Sequence, residues 1–335
     1  MKILIITDTL VSKIDGVSTS IDQTTKFLRK NGHEVKVIHH GLFHSFSLAP
    51  YFPELLFSFF PGKKLKHEII KEKPDYIHIT TEGTLGLKAR MICIKNNIKF
   101  TTSYHTHYDL YLKERVNNFF YKITKSYLLW FHKKSEAVMV STDSLKKELA
   151  SKGYKNLVIC PLGVDINLFK KSTSVFSNYS KPIFTYLGRL AKEKNVEEFL
   201  KCTLPGTKLI IGDGPERKQL ESKYKDSANF LGIKRGQELV NLLSQSDVLV
   251  FPSRTDTFGL VIVEALACNV PVAGHDVMGP RDIISHGVDG FLDEDLSKAA
   301  LECLKLNKEV CREKAKTFSW ENSANIFLQK LIKNE

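Results

Sequence analysis

The sequence predicts an α/β protein built from two doubly wound domains. The chain has 335 residues, 42% of them hydrophobic, which is long for a single core and sufficient for two. Short apolar runs of β type alternate with helix-like segments, a rhythm that is typical of parallel sheets. The rhythm begins again after a polar stretch at residues 170–180. We therefore expect domains at residues 1–165 and 166–319, with a linker inside 161–181.

The predicted elements follow in order along the two halves. In the first half, apolar runs predict strands at 2–7, 34–39, 76–80, 99–103 and 137–141, with helices that include 21–31 and 63–72. In the second half they predict strands at 182–187, 208–212, 248–251 and 270–273. Because ligands of open α/β sheets bind beyond the carboxyl ends of the strands, the polar loops that follow these strands are the candidate sites.

The cysteines and the apolar runs indicate a reduced protein that stays in the cytoplasm. Six cysteines are scattered without a CxxC pair or clustered histidines, which disfavours a structural zinc site. The N-terminus MKILIITDTL lacks the charged leader and long apolar core of a signal peptide. No stretch reaches the roughly 18 apolar residues of a membrane span.

The positive charge is concentrated in the first half. The formal net charge is +12, and residues 1–165 hold 25 Lys and Arg against 15 Asp and Glu. An anionic membrane surface, a nucleic acid or a charged acceptor would each suit this excess, and so would a genome that simply prefers lysine. A nucleic-acid-binding protein is disfavoured, because the basic half has no helix-turn-helix, RRM or finger pattern.

Two acids in the second half carry the strongest functional signal. Asp256 lies in the loop at 252–257 after a predicted strand, and Glu264 lies eight positions later inside a predicted helix. Between them, the free backbone N–H groups of Phe258, Gly259 and Leu260 would open the helix, where the dipole favours an anion. A diphosphate there would place its ribose on Glu264 and its hexose near Asp256. The alternative is that Asp256 only caps the helix and Glu264 is solvated.

Other loops of the second half offer a second set of candidates. Arg189 and Lys194, at a strand end and a helix start, would reach one diphosphate from two sides and act as a magnesium ion does elsewhere. They would otherwise be two solvated bases. Gly212 and Asp213 form a glycine-rich turn after a strand, and residues 230–232 end another, so either backbone would pass close to a base or phosphate.

The first half offers weaker candidates. Gly16, after the first strand, permits close backbone approach, although a plain turn explains it equally well. His105 and His107, with Tyr108, follow the fourth strand and would form a polar rim on a substrate. A metal site is disfavoured because no third ligand is near, and one histidine would otherwise be a packing residue. The acids at 293–295 are interpreted as a helix start rather than a magnesium site.

Five motifs together resemble the family-4 retaining glycosyltransferases of the GT-B fold. They are PLGVD (161–165), GRLAKEKN (188–195), GDGP (212–215), FLG (230–232) and PSRTDTFGLVIVEALA (252–267). The resemblance implies two Rossmann-like domains that face each other across a cleft, with a final helix at 320–333 that crosses back to the first domain. It also makes residues 1–165 the acceptor and membrane-facing domain and residues 166–319 the nucleotide-sugar-binding domain.

The resemblance also implies a role for each candidate residue. Arg189 and Lys194 would bind the donor diphosphate, Glu264 the ribose, and Asp256, which stands where many members have Glu, the transferred sugar. Further donor contacts are implied for Gly16, Gly212, Asp213, Leu231, Ile233, Phe258, Gly259 and Leu260. The implied catalytic residues are His105, Arg189, Lys194 and Asp256, while His107 and Tyr108 lie on the acceptor side. Transfer would retain configuration by a front-face displacement, without a metal ion or cofactor.

The sequence of residues 253–284 is most similar to those of bacterial enzymes that glycosylate diacylglycerol. This resemblance favours a UDP-sugar donor and diacylglycerol as the lipid acceptor, at the inner face of the membrane. Apolar and aromatic residues at 48–62, and basic and apolar residues at 110–134, would dock on an anionic bilayer. Core packing explains most of those aromatics equally well. The rival functions are a glycan polymeriser with a nucleotide-mannose donor and a non-catalytic sugar-nucleotide-binding protein.

Overall fold

Two compact units make up the chain. The computed structural model describes residues 1–9, 16–43, 45–48, 52–58, 62–105, 118–172 and 179–334, with only the backbone at 45–48, 52–58 and 118–120. Unit 1 comprises Met1–Leu162 with Trp320–Glu335, and unit 2 comprises Gly163–Ser319. Within the described residues, no helix is both long and apolar enough to cross a bilayer.

Unit 1 is a doubly wound sheet of six parallel strands in the order β2-β1-β5-β6-β7-β8. Its strands are β1 (Lys2–Ile6), β2 (Glu34–Ile38), β5 (Tyr76–Ile79), β6 (Thr101–Tyr104), β7 (Val138–Val140) and β8 (Leu157–Ile159). Strands β3 (Ser45–Leu48) and β4 (Phe52–Ser58) form a separate antiparallel pair. The helices are α1 (Gly16–Lys30), α2 (Gly62–Lys66), which continues as a π-helical turn at His67–Lys71, α3 (Thr84–Lys95), α4 (Asn118–His132) and α5 (Asp143–Ser151).

Unit 2 repeats this architecture with the strand order β11-β10-β9-β12-β13-β14. Its strands are β9 (Ile183–Leu187), β10 (Thr207–Ile211), β11 (Asn229–Gly232), β12 (Val248–Phe251), β13 (Val272–Gly274) and β14 (Gly290–Leu292). Its helices are α6 (Val196–Lys201), α7 (Arg217–Tyr224), α8 (Gly236–Gln245), α9 (Leu260–Ala267), α10 (Pro280–Ile283), α11 (Leu296–Cys303) and α12 (Glu309–Lys316). The predicted α/β class with two doubly wound sheets is confirmed.

The last helix, α13 (Trp320–Lys330), packs against α1 in unit 1. Phe327 is buried, and its ring meets the ring of His78 edge to face at 4.9 Å. The Ser323 hydroxyl donates to the Pro161 carbonyl over 2.7 Å. These contacts attach the end of the chain to the first sheet through apolar packing and a hydrogen bond.

The strand order reverses at one point in each sheet, and this sets where ligands bind. In unit 2 the reversal lies between β9 and β12, which are hydrogen-bonded neighbours. Strand β12, of sequence VLVF, is buried at all four positions, as expected of a strand covered on both faces. Because the loops diverge to opposite faces at such a reversal, a crevice forms beyond these two strand ends.

Several local predictions were wrong in their detail. Helix α1 begins at Gly16, five residues before the predicted start. The segment at 48–62 includes the end of β3 and all of β4, a hairpin that was not predicted, and its role as a membrane-docking surface stays a prediction. The helix predicted from Lys192 is a 3-10 turn at Lys192–Lys194 and then α6, because Asn195 between them adopts a left-handed conformation with φ 53°.

Candidate functional site

The loops after β9 and β10 are held together backbone to backbone by glycines. Gly212 has φ 139°, and a Cβ there would lie 1.8 Å from the Gly188 carbonyl oxygen. A Cβ at Gly214 would lie 2.3 Å from the Leu190 carbonyl oxygen. The Leu190 amide donates to the Asp213 carbonyl over 2.9 Å. The glycine-rich turn is therefore required for packing against the neighbouring loop, whatever ligand it also meets.

Arg189 and Lys194 lie in the β9 loop, and each is paired with a carboxylate. Arg189 Nη2 donates to Glu193 Oε1. Lys194 Nζ lies 2.5 Å from Asp256 Oδ1, so the loop after β9 is joined to the loop after β12. Both predicted cations and the predicted sugar-binding acid are thus brought to the β9/β12 reversal.

The loop after β12 is fixed from two sides. The hydroxyls of Ser253 and Thr255 both lie 3.4 Å from the Glu193 carbonyl oxygen as donors. Behind the loop, a Cβ at Gly279 would lie 2.8 Å from the Asp256 carbonyl oxygen and 2.9 Å from that of Phe258. Since Gly279 also has φ 87°, this close approach requires glycine. Asp256 is therefore presented by a rigid loop.

The start of α9 presents free donors beside this loop. Gly259 has φ 92° and precedes the first helical residue, Leu260. The backbone N–H groups of Phe258, Gly259 and Leu260 find no acceptor among the described residues. Phe258 is buried and its ring meets that of Phe318 edge to face at 5.8 Å, which anchors the turn. The N-terminus of α9 is therefore preorganised to accept an anion.

Glu264 lies one turn into α9, on the same face as Leu260. Side chains of a helix tilt toward its N-terminus, so the carboxyl is directed toward the free amides. Among the described residues no side chain donates to this carboxyl, and loss of solvent alone raises the pKa of Glu264 to about 7. An acid held this way, without a cation, is suited to accept hydrogen bonds from ligand hydroxyls.

The remaining predicted donor contacts in unit 2 are one acid, Asp213, and two apolar residues, Leu231 and Ile233. Asp213 accepts from the Gly214 amide over 2.7 Å and lies 3.4 Å from Arg217 Nη1, so its carboxylate is engaged in its own turn. Leu231 lies in β11 and is half-buried, whereas the Ile233 side chain is 55% exposed just beyond this strand. A flat apolar group at the end of β11 would find an exposed apolar contact in Ile233.

Two predicted residues of unit 1, Gly16 and His105, lie among the described residues. Gly16 is the exposed first residue of α1. His105 directly follows β6 and lines a cavity of about 30 Å³ with His78 and Ser103. Burial lowers the pKa of His78 to about 3, so this ring is neutral beside His105. The predicted acceptor-side residues His107 and Tyr108 lie outside the described residues.

Three residues at the site were missed from the sequence. Glu193 is the acid on Arg189, and nothing in the motif GRLAKEKN distinguishes it from a solvated helix-start acid. Tyr186 is buried, and its hydroxyl donates to the Arg189 carbonyl over 2.8 Å. Burial and the nearby Asp256 raise the pKa of Tyr186 well above its usual range. The third is Glu198, which accepts from Asn195 Nδ2 and lies 3.1 Å from His275 Nε2.

In the described part of the chain, no three His, Cys, Asp or Glu side chains are grouped as metal ligands. Of the acids at 293–295, Asp295 caps α11 by accepting from the amides of Ser297 and Lys298. Asp293 lies 2.6 Å from Lys298 Nζ. Asp293 and Asp295 therefore act at a helix start, whereas Glu294 pairs with Arg254 Nη1 over 2.9 Å.

The two units match two glycosyltransferase families. Residues 14–168 match the family described as "Glycosyltransferase Family 4", and residues 169–310 match that described as "Glycosyl transferases group 1". The chain therefore belongs to the family-4 type of glycosyltransferases with the GT-B fold.

Individual relatives span several named activities. The chain is 29% identical to the sulfoquinovosyl transferase SQD2 of Arabidopsis thaliana over 83% of its length, and it spans 61% of that protein. It is 25% identical to a GDP-mannose-dependent alpha-mannosyltransferase of Mycobacterium tuberculosis, over 87% of this chain and 83% of that one. It is also 25% identical to an alpha-monoglucosyldiacylglycerol synthase of Streptococcus pneumoniae, over 96% of this chain and 83% of that protein.

Solved structures agree on the fold. A sucrose-phosphate synthase from Thermosynechococcus elongatus superposes with a TM-score of 0.77 at 18% identity, over 98% of both chains. Anabaena Alr3699/HepE in complex with UDP superposes with a TM-score of 0.65 at 18% identity, over 98% of this chain and 95% of that one. At these identities the likeness shows the GT-B fold alone.

Proposed function

We propose that the protein is a retaining hexosyltransferase that moves a hexose or hexuronic acid from a UDP-sugar to diacylglycerol at the cytoplasmic face of a membrane. The observation that carries the donor half of this proposal is the grouping of two cations, two acids and free amides at one sheet reversal. Arg189 and Lys194 supply positive charge, while Asp256 and Glu264 supply acceptors for hydroxyls.

The site suits a sugar nucleotide in a definite orientation. The diphosphate would accept from the α9 amides and pair with Arg189 and Lys194. The ribose hydroxyls would donate to Glu264, and the base would meet Ile233 and the backbone of Leu231. Once phosphate oxygens reach Lys194, Asp256 becomes available to the hydroxyls of the transferred sugar. His105 is proposed to line that sugar, and Gly16 to approach the phosphates.

The chemistry would depend on position and charge rather than on a protein nucleophile. The bond between the anomeric carbon and the diphosphate oxygen breaks, and the acceptor oxygen forms a bond to the same face of that carbon. The acceptor proton passes to the leaving phosphate oxygen. Arg189 and Lys194 stabilise the developing charge on the diphosphate. We propose that the reaction needs no metal ion or cofactor.

The proposed lipid acceptor rests on a relative and on a surface of unit 1. One relative is named a monoglucosyldiacylglycerol synthase. On the surface, Trp130 of α4 is 47% exposed and Arg90 of α3 lies over its ring at 3.8 Å. Met91 and Ile94 of α3 are exposed beside Arg90. The exposed bases on these helices and just after α4 include Lys88, Lys95, Lys122, Lys133 and Lys134. Apolar anchors with a basic surround suit an anionic bilayer.

A second candidate function has support of its own. A relative is named a GDP-mannose-dependent alpha-mannosyltransferase, so a mannosyl or glucosyl transfer that builds a lipid-linked glycan or polysaccharide would use the same donor residues. A sugar-nucleotide-binding protein without catalysis is the most distant alternative.

One experiment separates these functions. UDP-glucose, UDP-glucuronate, UDP-galactose and GDP-mannose are each incubated with the protein, EDTA and diacylglycerol in anionic vesicles, and products are identified by mass spectrometry. A hexosyl or uronosyl diacylglycerol made with EDTA present supports donor, acceptor and metal independence together. Hydrolysis of one donor without lipid product would reject diacylglycerol and favour a glycan. Binding of a donor without any turnover would reject an enzyme.

Membrane attachment is expected to depend on both salt and Trp130. Binding to anionic vesicles should be stronger at about 50 mM than at about 500 mM salt, because screening weakens attraction to the lysines. Trp130→Ala should weaken vesicle binding about tenfold, since Trp130 is 47% exposed and would insert into the bilayer. Co-sedimentation measures both effects. Val288→Ala, at a 51% exposed position of unit 2, is the control. Equal binding of wild type and Trp130→Ala would reject this surface.

A further inference from the structure

We propose that Glu193 is a fixed negative charge that weakens binding of the nucleoside diphosphate product more than binding of the donor, and so speeds product release. This inference rests on the proposed donor site and assigns a role to a residue that the motifs do not distinguish. It begins from the placement of an acid in direct contact with Arg189.

The Glu193 carboxylate is held in place rather than free to leave. Its side chain is only 10% exposed, whereas that of Arg189 is 45% exposed. Its backbone carbonyl accepts from the hydroxyls of Ser253 and Thr255, each over 3.4 Å. These hydrogen bonds hold the backbone of Glu193, and its largely buried carboxylate contacts Arg189, so a diphosphate that reaches Arg189 meets a negative charge beside it.

Other acidic groups lie near Glu193 and are affected by its charge. Tyr186 and Glu216 both have raised pKa values, for which burial is the main cause. Asp256 and then Glu193 raise the pKa of Tyr186 further, and Glu193 raises that of Glu216. Arg189 and Lys194 are thus balanced by acids before any ligand binds. A site built only for tight anion binding would not place these acids against its two cations.

The donor and the product differ in charge, and this difference gives Glu193 its effect. In a sugar nucleotide both phosphates are esterified or bridged, so the diphosphate carries two negative charges. Transfer of the sugar frees the terminal phosphate, which gains a further ionisable oxygen. Repulsion grows with the ligand's charge, so Glu193 disfavours the product more than the donor. Release of product commonly limits turnover in well-evolved enzymes, so this repulsion would raise the rate.

The alternative is that Glu193 only orients Arg189 through their hydrogen bond. Glu193→Gln distinguishes the two, because the amide oxygen still accepts from Arg189 while the charge is removed. Glu193→Ala removes both the charge and the acceptor. A charge effect predicts tighter product binding in both variants. An orienting effect predicts wild-type binding in Glu193→Gln and weaker binding in Glu193→Ala.

The matched control is Glu197→Gln. Glu197 lies in α6, four residues after Glu193, and accepts from Lys223 Nζ over 2.6 Å and from the Tyr224 hydroxyl over 3.0 Å. These two hydrogen bonds lower the pKa of Glu197 to about 2. Its charge is already compensated away from the proposed site, so its removal should leave ligand affinity unchanged.

Titration calorimetry with UDP, GDP, UDP-glucose and GDP-mannose tests the proposal. For the nucleotide that wild type binds, Glu193→Gln should tighten the diphosphate about tenfold and the sugar nucleotide about threefold. Stopped-flow displacement should show slower release of the diphosphate. Weaker or unchanged diphosphate binding in Glu193→Gln, or equal tightening of both ligands, overturns the role of Glu193. Failure of wild type to bind any of the four overturns the proposed donor site itself.

Discussion

Arg189→Ala is expected to lower kcat by about 10²–10³-fold, with a smaller change in KM for the donor. The guanidinium lies at the β9/β12 reversal, paired with Glu193 in the ligand-free protein. In the proposed reaction the diphosphate gains negative charge as it leaves, so a fixed cation stabilises the transition state more than the bound donor. Initial rates over a range of donor concentrations separate kcat from KM.

A control variant and a conservative variant test whether the effect is specific to Arg189. Arg281→Ala removes an arginine of α10 that is also paired with an acid, Asp276, but has no proposed contact with the donor, and it should retain wild-type rates. Arg189→Lys keeps the charge and loses the planar fork, so its kcat should fall between those of wild type and Arg189→Ala. A wild-type kcat in Arg189→Ala would show that this residue does not contact the leaving group.

The sequence predicts the parts of the fold that depend on local patterns. Strand β12 is found at its predicted bounds, because four consecutive apolar residues between polar ones form a buried strand and little else. Strands β8 and β14, of three residues each, were not predicted, although β7 and β13 of the same length were. The hairpin of β3 and β4 was not predicted, since an apolar and aromatic composition suits a membrane contact as well as a strand.

The pairing of site residues depends on contacts between loops that are distant in the chain, which the sequence does not show. The motifs place Arg189, Lys194 and Asp256 in loops, and the structure brings them to one reversal. The pairing of Lys194 with Asp256 could not be read from the chain, because the two residues are 62 positions apart. From the sequence, Gly212 was interpreted as a residue that lets the backbone approach a ligand. The structure shows that glycine is already required there, because a Cβ would clash with the Gly188 carbonyl oxygen.

Affinity for the sugar nucleotide is expected to fall about tenfold for each pH unit below 7, and to be constant above it. Burial raises the pKa of Glu264 to about 7 in the free protein. In the proposed complex the ionised carboxylate would accept hydrogen bonds from both ribose hydroxyls, which would favour its charged form and lower its pKa. Below pH 7 a proton must therefore leave before the ribose binds, and above pH 7 none is released.

Ionisation of Glu264 should strengthen ligand binding but lower the stability of the free protein. The pH dependence of stability is therefore an independent check on Glu264. Burial disfavours the charged form of Glu264, so ionisation of this carboxyl lowers the free energy of unfolding of the free protein. The loss is absent below about pH 4.5, grows as the pH rises to 7 and is constant above pH 7. Glu264→Gln should therefore raise Tm at pH 8 but not at pH 4.5, while its affinity for UDP-glucose is low at every pH. Calorimetry of both proteins from pH 4.5 to 8 measures the two effects. The sugar nucleotide has no phosphate that titrates in this range, and Glu264→Gln controls for titration of any other group.

A pH-independent affinity in wild type, together with a Tm that Glu264→Gln leaves unchanged at pH 8, would mean that Glu264 is solvated and that the ribose binds elsewhere. A fall in affinity without the gain in Tm would instead place the titrating group on a different residue of the same site.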